Sequence, residues 1–316
     1  MSAVAYNDRT DEIIAGIIML TVSFLGNVLN ISAVVLIYRT PHFHNAFGFI
    51  CASHLLADVG LLSIYFFWAA PATILGYSEQ LSLSYFGKQM GQLIMMFWYA
   101  SIYGQLQIAL NRLLAIFSPV LYSSTFTIRR TKQILAAFWL LSIAHVIVYF
   151  VDGCYFVYDI DSFTWLYAYT KCGGIISFYL DFAHGTSLCI IVIIIDTIAF
   201  FGIIREVKKI SQSIGSAPEA AMLRKNTRLY LMGCAQAVCF ALMISSFHIL
   251  SRFMTNRWTM FATTTFVWEL AHATDGLILI AFHEKFRVVL CQPSLIWQKK
   301  SRSILAVTIQ SRTTRV

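Results

Sequence analysis

Seven long runs of apolar residues, separated by short polar segments, make up most of the sequence. Each run has close to the ~20 residues that an α-helix needs to cross a hydrocarbon core about 30 Å thick. Short alternating segments of the kind that form a membrane β-barrel do not recur along the chain. The pattern therefore predicts an all-α membrane protein, a seven-transmembrane helix bundle, with helices at residues 13–38, 46–70, 91–117, 134–151, 174–204, 229–251 and 260–283.

The segments outside these runs are polar. Residues 1–12 lack the basic region that precedes the apolar core of a cleavable signal peptide, so the first helix is expected to be its own signal anchor. No linker or internal repeat divides residues 13–283, which are expected to form one domain. Residues 284–316 are expected to form a basic tail beyond the last helix.

Composition and charge agree with a membrane protein. The chain is 58% hydrophobic and 12% charged, whereas about a quarter of the residues in an average soluble domain are charged. With the N-terminus outside, eighteen of the 23 basic residues fall on the inner side, and the positive-inside rule favours that orientation. The net charge of +8 thus indicates membrane lipid, rather than nucleic acid, as the partner of these residues.

Ionisable side chains inside membrane helices are rare and often functional. Asn27, Asp58, Ser101 and Asp275 are predicted to lie at a similar depth. They either form a buried network that holds water or a cation, or a structural hydrogen-bond cluster in which one acid is protonated. The other ionisable residues within the runs are Asp181, Asp196, Glu269, His54, His145, His184, His248 and His272.

A candidate ligand pocket is predicted at the outer ends of helices three, five and seven. Aromatic walls with a few convergent polar groups are typical of small-molecule sites, although Tyr179 and Trp268 are equally well explained as membrane-interface aromatics. Glu269 and His272 share an inward face with Asp275 and either line the cavity or pair with each other. The candidate pocket residues are Trp98, Tyr99, Tyr103, Asp181, His184, Trp268, Glu269 and His272.

Three cysteines lie outside the helices. Cys154 and Cys172 fall in the second outer loop, where an oxidising compartment permits a disulfide, although two free thiols are also consistent with the sequence. Cys291 follows the last helix on the inner side and is a candidate for palmitoylation. The triplet "NIS" at Asn30 matches a glycosylation acceptor only by chance, because it lies inside the first helix.

Several short motifs, in order along the chain, resemble those of the rhodopsin-like seven-helix receptors. At the inner end of helix three, Asn111 and Arg112 are followed by Pro119, in the pattern of that family. The stretch "DGLILIAFHEKFR" is similar to the family's helix-seven motif followed by a short amphipathic cytoplasmic helix. Further matches are Gly26 and Asn27 in helix one, Asp58 in helix two and Trp139 in helix four.

The departures from that pattern resemble the nematode serpentine chemoreceptors of class Srx. Gly276 and Leu279 replace the usual proline and tyrosine of helix seven, and the usual cysteine at the entry to helix three is missing from "GKQMGQL". The missing cysteine strengthens the pairing of Cys154 with Cys172. The stretches "FGFICASHLLADVG", "ALNRLLAIFSP" and "HATDGLILIAFH" carry the resemblance, which spans residues 13–290.

The resemblance implies a G-protein-coupled chemosensory receptor, commonly ciliary. Arg112 would be the switch that meets the G protein, with Asn27, Asp58, Ser101 and Asp275 as the transmission network. Asn111 cannot form the usual ion pair with Arg112, so a looser inactive state and some basal signalling are expected. Ile94 stands where receptors for biogenic amines have an acid, which speaks against an amine ligand.

Two other classes of function remain as alternatives. A seven-helix ligand-gated channel or an inverted odorant receptor would place its N-terminus inside, against the distribution of basic residues. An intramembrane metal-dependent hydrolase is less well supported, because neither G-x-S-x-G nor H-E-x-x-H occurs. No enzymatic activity, cofactor or dedicated metal site is predicted, and the sequence identifies neither the ligand, the G-protein class nor the oligomeric state.

Overall fold

The computed structural model describes residues 8–76, 79–211 and 217–282, and side chains are described throughout except at His42, at residue 8 and between residues 206 and 230. Seven helices within this part of the chain are long and apolar enough to cross a membrane. They are α1 (Asp8–Arg39), α2 (Ala46–Leu75), α3 (Tyr85–Phe117), α4 (Ile128–Phe150), α5 (Lys171–Arg205, helical on to Ser211), α6 (Ala217–His248) and α7 (Arg257–Phe282).

The predicted seven-helix fold is confirmed. The cytoplasmic helix and tail at 284–316, together with the palmitoylation candidate Cys291, lie outside the described residues. Short helices also occur between the long ones, at Pro41–Phe43, Glu79–Ser82, Pro119–Thr125 and Leu250–Phe253.

Side-chain caps fix the beginnings of five helices. A hydroxyl or amide oxygen at the N-cap accepts a backbone N–H that the helix leaves unpaired, which contributes about 1 kcal/mol at each site. These caps explain why helices that are apolar almost throughout start at defined residues. The capping residues are Asn45 for α2, Ser84 for α3, Thr127 for α4, Thr170 for α5 and Asn256 for α7.

The third helix is the centre of the bundle. Residues of α3 pack against α2, α4 and α5, while α1 packs against α2 and α7, and α6 against α5 and α7. Trp98, Tyr99 and Ser101 of α3 are almost fully buried, whereas Leu140 of α4 is 65% exposed. Exposed apolar faces of this kind are suited to lipid, and the buried faces carry the polar residues.

Three helices contain a π-helical turn near the same end of the bundle: Tyr65–Ala69 in α2, Ile176–Ala183 in α5 and Ala262–Phe266 in α7. In α2 the turn is followed by Pro71, which has no N–H to donate to the carbonyl four residues earlier. In α7, the hydroxyls of Thr263 and Thr264 bond to the carbonyls of Thr259 and Met260 and compete with the regular ladder. π-Turns of this kind occur frequently at functional sites.

A β-hairpin between α4 and α5 covers that end of the bundle. Strand β1 (Phe156–Asp159) pairs antiparallel with β2 (Thr164–Tyr167), with Phe156 opposite Tyr167. Phe156 and Trp165 are almost completely buried, so the hairpin inserts into the bundle. A Cβ at Gly91 of α3 would lie 1.6 Å from the Phe156 carbonyl oxygen. Glycine is therefore required where the hairpin meets α3.

Cys154 and Cys172 form a disulfide that joins the start of the hairpin segment to the start of α5, with 5.2 Å between their Cα atoms. The Thr170 hydroxyl also donates a hydrogen bond to the Gly153 carbonyl next to it. The bridge spans 18 residues and ties down both ends of the hairpin.

Opening this bridge is expected to destabilise the hairpin. In the chain-entropy model, closing a loop of about 15 residues contributes about 3 kcal/mol. The purified C154S/C172S variant should therefore unfold at a lower temperature than the wild type. A reductant should lower the melting temperature of the wild type but not that of the double variant. Cys234→Ser, which changes a half-buried free thiol, is the matched control. A reductant effect of equal size in the double variant would contradict the assignment.

Candidate functional site

Asp181 connects three helices and the hairpin. Its carboxylate accepts a hydrogen bond from the Trp98 indole of α3 at 3.0 Å and from the Tyr167 hydroxyl of β2 at 2.6 Å. His248 Nε2 of α6 lies 3.0 Å from the same carboxylate. We refer to these four residues as the Asp181 cluster. The π-helical turn of α5 carries Asp181 itself, whereas its neighbour Tyr179 is 62% exposed.

The surroundings of Tyr167 keep its hydroxyl in the donating form. Burial, and secondarily the negative charge of Asp181, raise the pKa of Tyr167 well above its usual value. A phenol that stays protonated can only donate to a carboxylate, so the Tyr167 hydrogen bond holds the hairpin on α5 across the physiological pH range.

A narrow cavity lies beside the Asp181 cluster. Its walls are mainly aromatic and aliphatic, and one carboxylate and one imidazole face it. Apolar walls with a few polar groups are typical of small-molecule sites. In the state described the space admits about one water molecule, so a larger ligand would have to move the walls. The lining residues are Trp98, Asp181, Met243, Ile244, Phe247, His248 and Trp268.

The other predicted pocket residues lie elsewhere. The Tyr103 hydroxyl is 3.3 Å from His145 Nε2 and 3.1 Å from His184 Nε2, and the two imidazoles stack with 5.2 Å between centroids. The Tyr99 hydroxyl bonds to the Leu180 carbonyl. Tyr99, Tyr103 and His184 therefore belong to a second cluster between α3, α4 and α5. Of the eight predicted pocket residues, Trp98, Asp181 and Trp268 line the cavity.

Glu269 and His272 separate, although they share a helical face. Glu269 is completely buried beside Ser23 of α1, and its carboxylate makes no hydrogen bond to His272 within the described part of the chain. His272 instead places Nδ1 2.7 Å from Asp58 of α2. The structure thus shows neither the expected pairing of these residues nor their joint lining of the cavity.

A network of buried polar side chains occupies the middle of the bundle. Asp58 Oδ1 accepts a hydrogen bond from the Ser101 hydroxyl at 2.7 Å and lies at the same distance from His272 Nδ1. His54 Nε2 lies 3.6 Å from Asp58 Oδ2 and 3.3 Å from Asp275 Oδ2. The Gln236 amide of α6 donates to Asp275 Oδ1 at 3.2 Å. These six residues, His54, Asp58, Ser101, Gln236, His272 and Asp275, are called the central network below.

Asn30, rather than Asn27, connects α1 to α7. The Asn30 side chain donates to the His272 carbonyl at 3.0 Å and accepts from the Gly276 N–H at 2.8 Å. A Cβ at position 276 would lie 2.5 Å from Asn30 Oδ1, so this approach requires glycine where the rhodopsin-like motif has proline. The Asn27 side-chain oxygen is buried without a hydrogen-bond partner among the described residues.

At the opposite end of α3, Arg112 is paired with a carboxylate from another helix. Arg112 Nη1 lies 3.3 Å from Asp196 Oδ1 of α5, and Asp196 is 1% exposed. Asp196 thus supplies the carboxylate that residue 111, an asparagine, cannot supply, and the looser inactive state expected from Asn111 stays a prediction. Gly233 of α6 closes over the pair, since a Cβ there would lie 2.1 Å from Arg112 Nη1 and 2.4 Å from Asp196 Oδ2.

Two further residues named from the sequence have clear structural positions. Pro119 begins the short helix Pro119–Thr125 immediately after α3. The Trp139 indole of α4 donates to the Ser53 hydroxyl of α2 at 2.9 Å. Pro119 thus marks the end of α3, and Trp139 fixes α4 against α2.

Comparison with known proteins identifies the family. Residues 20–283 match the family model described as serpentine type 7TM GPCR chemoreceptor Srx. The chain is 25% identical over 294 residues to serpentine receptor class X 45 of Caenorhabditis elegans, covering 89% of this chain and 81% of the relative. It is 24% identical over 296 residues to serpentine receptor class X-43 of the same organism, covering 91% of each.

The fold is similar to that of squid rhodopsin. The crystal structure of squid rhodopsin aligns with a TM-score of 0.69 and 15% identity, covering 90% of this chain and 85% of the other. The two chains therefore share the arrangement of their seven helices. Because the Srx model covers most of the chain, the protein belongs to the Srx family of serpentine seven-transmembrane chemoreceptors.

Proposed function

We propose that this chain detects a small external molecule in the cavity beside Asp181 and signals to a heterotrimeric G protein at the opposite end of the bundle. The observation that carries this proposal is the course of α3. Trp98 of α3 lines the cavity and bonds to Asp181, and Arg112 of the same helix pairs with Asp196. Residues 98 and 112 are separated by about 21 Å at 1.5 Å per residue.

The Trp98 side chain is suited to sense an occupied cavity. Its indole stacks on Phe240 of α6, with 5.7 Å between centroids and 15° between planes, and meets His272 of α7 edge-on at 5.8 Å. A ligand that competes for Asp181 must displace or re-pack this indole. It shifts the receptor only if it binds one arrangement of these helices more tightly than the other.

The release of α6 would then uncover Arg112. In the structure Gly233 holds α6 against the pair formed by Arg112 and Asp196. Separation of the inner ends of α5 and α6 would break this contact and expose a guanidinium to a cytoplasmic partner. The basic residues at the inner end of α5, Arg205, Lys208 and Lys209, provide charge for an acidic G-protein surface, and they also attract anionic lipid.

We place the chain in the plasma membrane, with the N-terminus outside and the C-terminus in the cytoplasm, and extend this to the sensory cilium by analogy with the family. The support is the positive-inside rule. Epitope tags at the two termini test the orientation. The N-terminal tag should bind antibody on intact cells, and the C-terminal tag only after permeabilisation. The reverse order would favour the inverted channel-like alternative, which whole-cell current recordings would then examine.

Reporter cells that co-express the chain with a panel of Gα subunits test the coupling. A library of small water-soluble and volatile compounds is applied, with Arg112→Ala at matched surface expression as the control. We expect at least one compound to activate the wild type and none of these to activate Arg112→Ala. A response that persists in Arg112→Ala, or that appears as a current without Gα, would contradict the proposal.

A further inference from the structure

We propose that Tyr103, His145 and His184 form a binding site for a divalent transition-metal ion, with Cu²⁺ as the probe, where α3, α4 and α5 meet. We refer to these three residues as the histidine-pair site. It is separate from the cavity beside Asp181 and from the central network. Each residue comes from a different helix, so a bound ion would join α3, α4 and α5.

The three side chains converge on one point. The Tyr103 hydroxyl oxygen lies 3.3 Å from His145 Nε2 and 3.1 Å from His184 Nε2. The two imidazole rings stack at 29°, with 5.2 Å between their centroids. Ligands about 2.0–2.1 Å from a metal are about 2.9 Å apart at right angles and about 3.4 Å apart in a tetrahedron. Both measured separations lie between these values and fit three ligands of one ion.

The ring nitrogens that face Tyr103 are able to bind a metal. His145 Nδ1 lies 2.8 Å from the Leu141 carbonyl, which only accepts a hydrogen bond, so Nδ1 carries the proton and Nε2 keeps its lone pair. Outer hydrogen bonds of this kind also orient the ligands of metal sites. His184 Nδ1 is buried without a hydrogen-bond partner among the described residues, so it is free to carry the proton while Nε2 coordinates.

The charge of the ion is balanced by two neighbouring groups. Two imidazoles and a phenol are neutral, and a divalent cation among neutral groups in an apolar interior is costly. Coordination to Cu²⁺ replaces the proton of the Tyr103 hydroxyl, and this proton passes to solvent. Asp181, three residues before His184, acts on it with its negative charge. The ion, the phenolate and this carboxylate together carry no net charge.

The donors favour copper and zinc among the metals. Imidazole nitrogen is a common ligand of both ions, whereas Ca²⁺ and Mg²⁺ are bound mainly by oxygen. Among divalent ions of the first transition row, Cu²⁺ binds most tightly to a given set of ligands, so it is the most sensitive probe. Tyr103 is 4% exposed, which leaves little access for a substrate. The ion would therefore hold the three helices together and not catalyse a reaction.

The purified full-length chain tests the proposal without any measurement of signalling. The chain, without a polyhistidine tag, is reconstituted in lipid nanodiscs, treated with a chelator and titrated with CuCl₂. We expect one Cu²⁺ per chain after gel filtration, release of about one proton per bound ion, and a melting temperature that rises until one equivalent is bound. Coordination by the phenolate should also give a visible charge-transfer absorption.

Single substitutions separate the ligands from other histidines. His145→Gln and His184→Gln each remove a ligand and should abolish binding at one equivalent. Tyr103→Phe keeps both imidazoles and should bind Cu²⁺ about tenfold more weakly, without the visible absorption or the proton release. A purely structural role of Tyr103 would change neither of these two signals. His44→Gln, which changes an exposed histidine after α1, should bind like the wild type.

Several results would overturn the proposal. These are less than one Cu²⁺ per chain in the wild type, wild-type binding by His145→Gln, and loss of binding in His44→Gln. Should a histidine variant fail to fold, Tyr103→Phe still decides, because an absorption spectrum equal to that of the wild type would exclude the phenolate as a ligand. The reporter-cell assay tests the proposed receptor function separately, so none of these outcomes bears on it.

Discussion

Replacing Gly233 with alanine is expected to raise basal G-protein activation about tenfold. The added Cβ would lie within 2.4 Å of both Arg112 and Asp196, so the ion pair must rearrange or α6 must move outward. Either change removes an interaction that exists only while α6 is closed over the pair. If the closed state loses about 1.4 kcal/mol relative to the open state, a minor open population rises about tenfold.

Nucleotide exchange on Gα by membranes that contain each variant measures this effect without a ligand. Asp196→Asn should act in the same direction, and the Gly233→Ala/Asp196→Asn double variant should add little to either single change, because both act on one interaction. Gly174→Ala is the matched control, since nothing lies within 4 Å of a Cβ there. Wild-type exchange by both Gly233→Ala and Asp196→Asn would mean that the pair does not hold the closed state.

Asp181→Ala is expected to lower the stability of the bundle by about 3–5 kcal/mol, in the range found when one partner of a buried charged pair is removed. The change leaves Trp98, Tyr167 and His248 without the acceptor that joins α3, α6 and the hairpin. Asp181→Asn should lower the stability less, because its amide oxygen can still accept a hydrogen bond. Some loss should remain, because the amide NH₂ group would face the donors of the neighbouring side chains.

Thermal unfolding of the solubilised protein measures the loss. Asp161→Asn, in the turn of the hairpin, is the control. Partial burial raises the pKa of Asp161, and the nearby charges of Asp159, Glu79 and Glu12 raise it further. The negative charge of Asp161 is therefore less favourable in the folded state than in the unfolded chain. Asp161→Asn should therefore leave the melting temperature unchanged or raise it slightly. A melting temperature of Asp181→Ala within the error of the wild type would show that the cluster contributes little.

The helices could be predicted from the sequence because membrane thickness sets their length. Each apolar run had to form a helix, since an unpaired backbone is too costly in lipid. One end of α3 could also be predicted, because Arg112 followed by Pro119 occurs at the end of the third apolar run, as in the rhodopsin-like pattern. These features depend only on neighbouring residues along the chain.

The contacts between helices could not be predicted in the same way. The spacing of Glu269, His272 and Asp275 predicts that they share an inward face, and all three are buried. Glu269 nevertheless faces α1, whereas His272 and Asp275 face α2. Helical spacing gives a direction around the axis and does not identify the neighbouring helix. The sequence indicates that Asp196 lies within a membrane helix, yet nothing in its surroundings along the chain identifies Arg112 as its partner.

Two further contacts could not be predicted from the sequence: the one between Asn30 and α7, and the pairing of the hairpin strands. Asn27 and Asn30 lie on nearly the same face of α1, and Asn30 reaches α7 because Gly276 leaves room for its side chain. The apolar pattern predicts only an outer loop at the hairpin, although "FVYD" and "TWLY" flank a turn. Its alternation was too short to stand out beside seven long apolar runs.

The π-helical turns affect how ligand residues are transferred between receptors. Each such turn adds a residue to the helix, so side chains on its far side are rotated by roughly 100° relative to a continuous α-helix. Asp181 lies within such a turn, and Trp268 follows one. Alignment with a relative that lacks these turns would match the far halves of α5 and α7 but assign the positions at the Asp181 end, which we propose to face the ligand, to the wrong side chains. A one-residue gap within each turn would restore the correspondence.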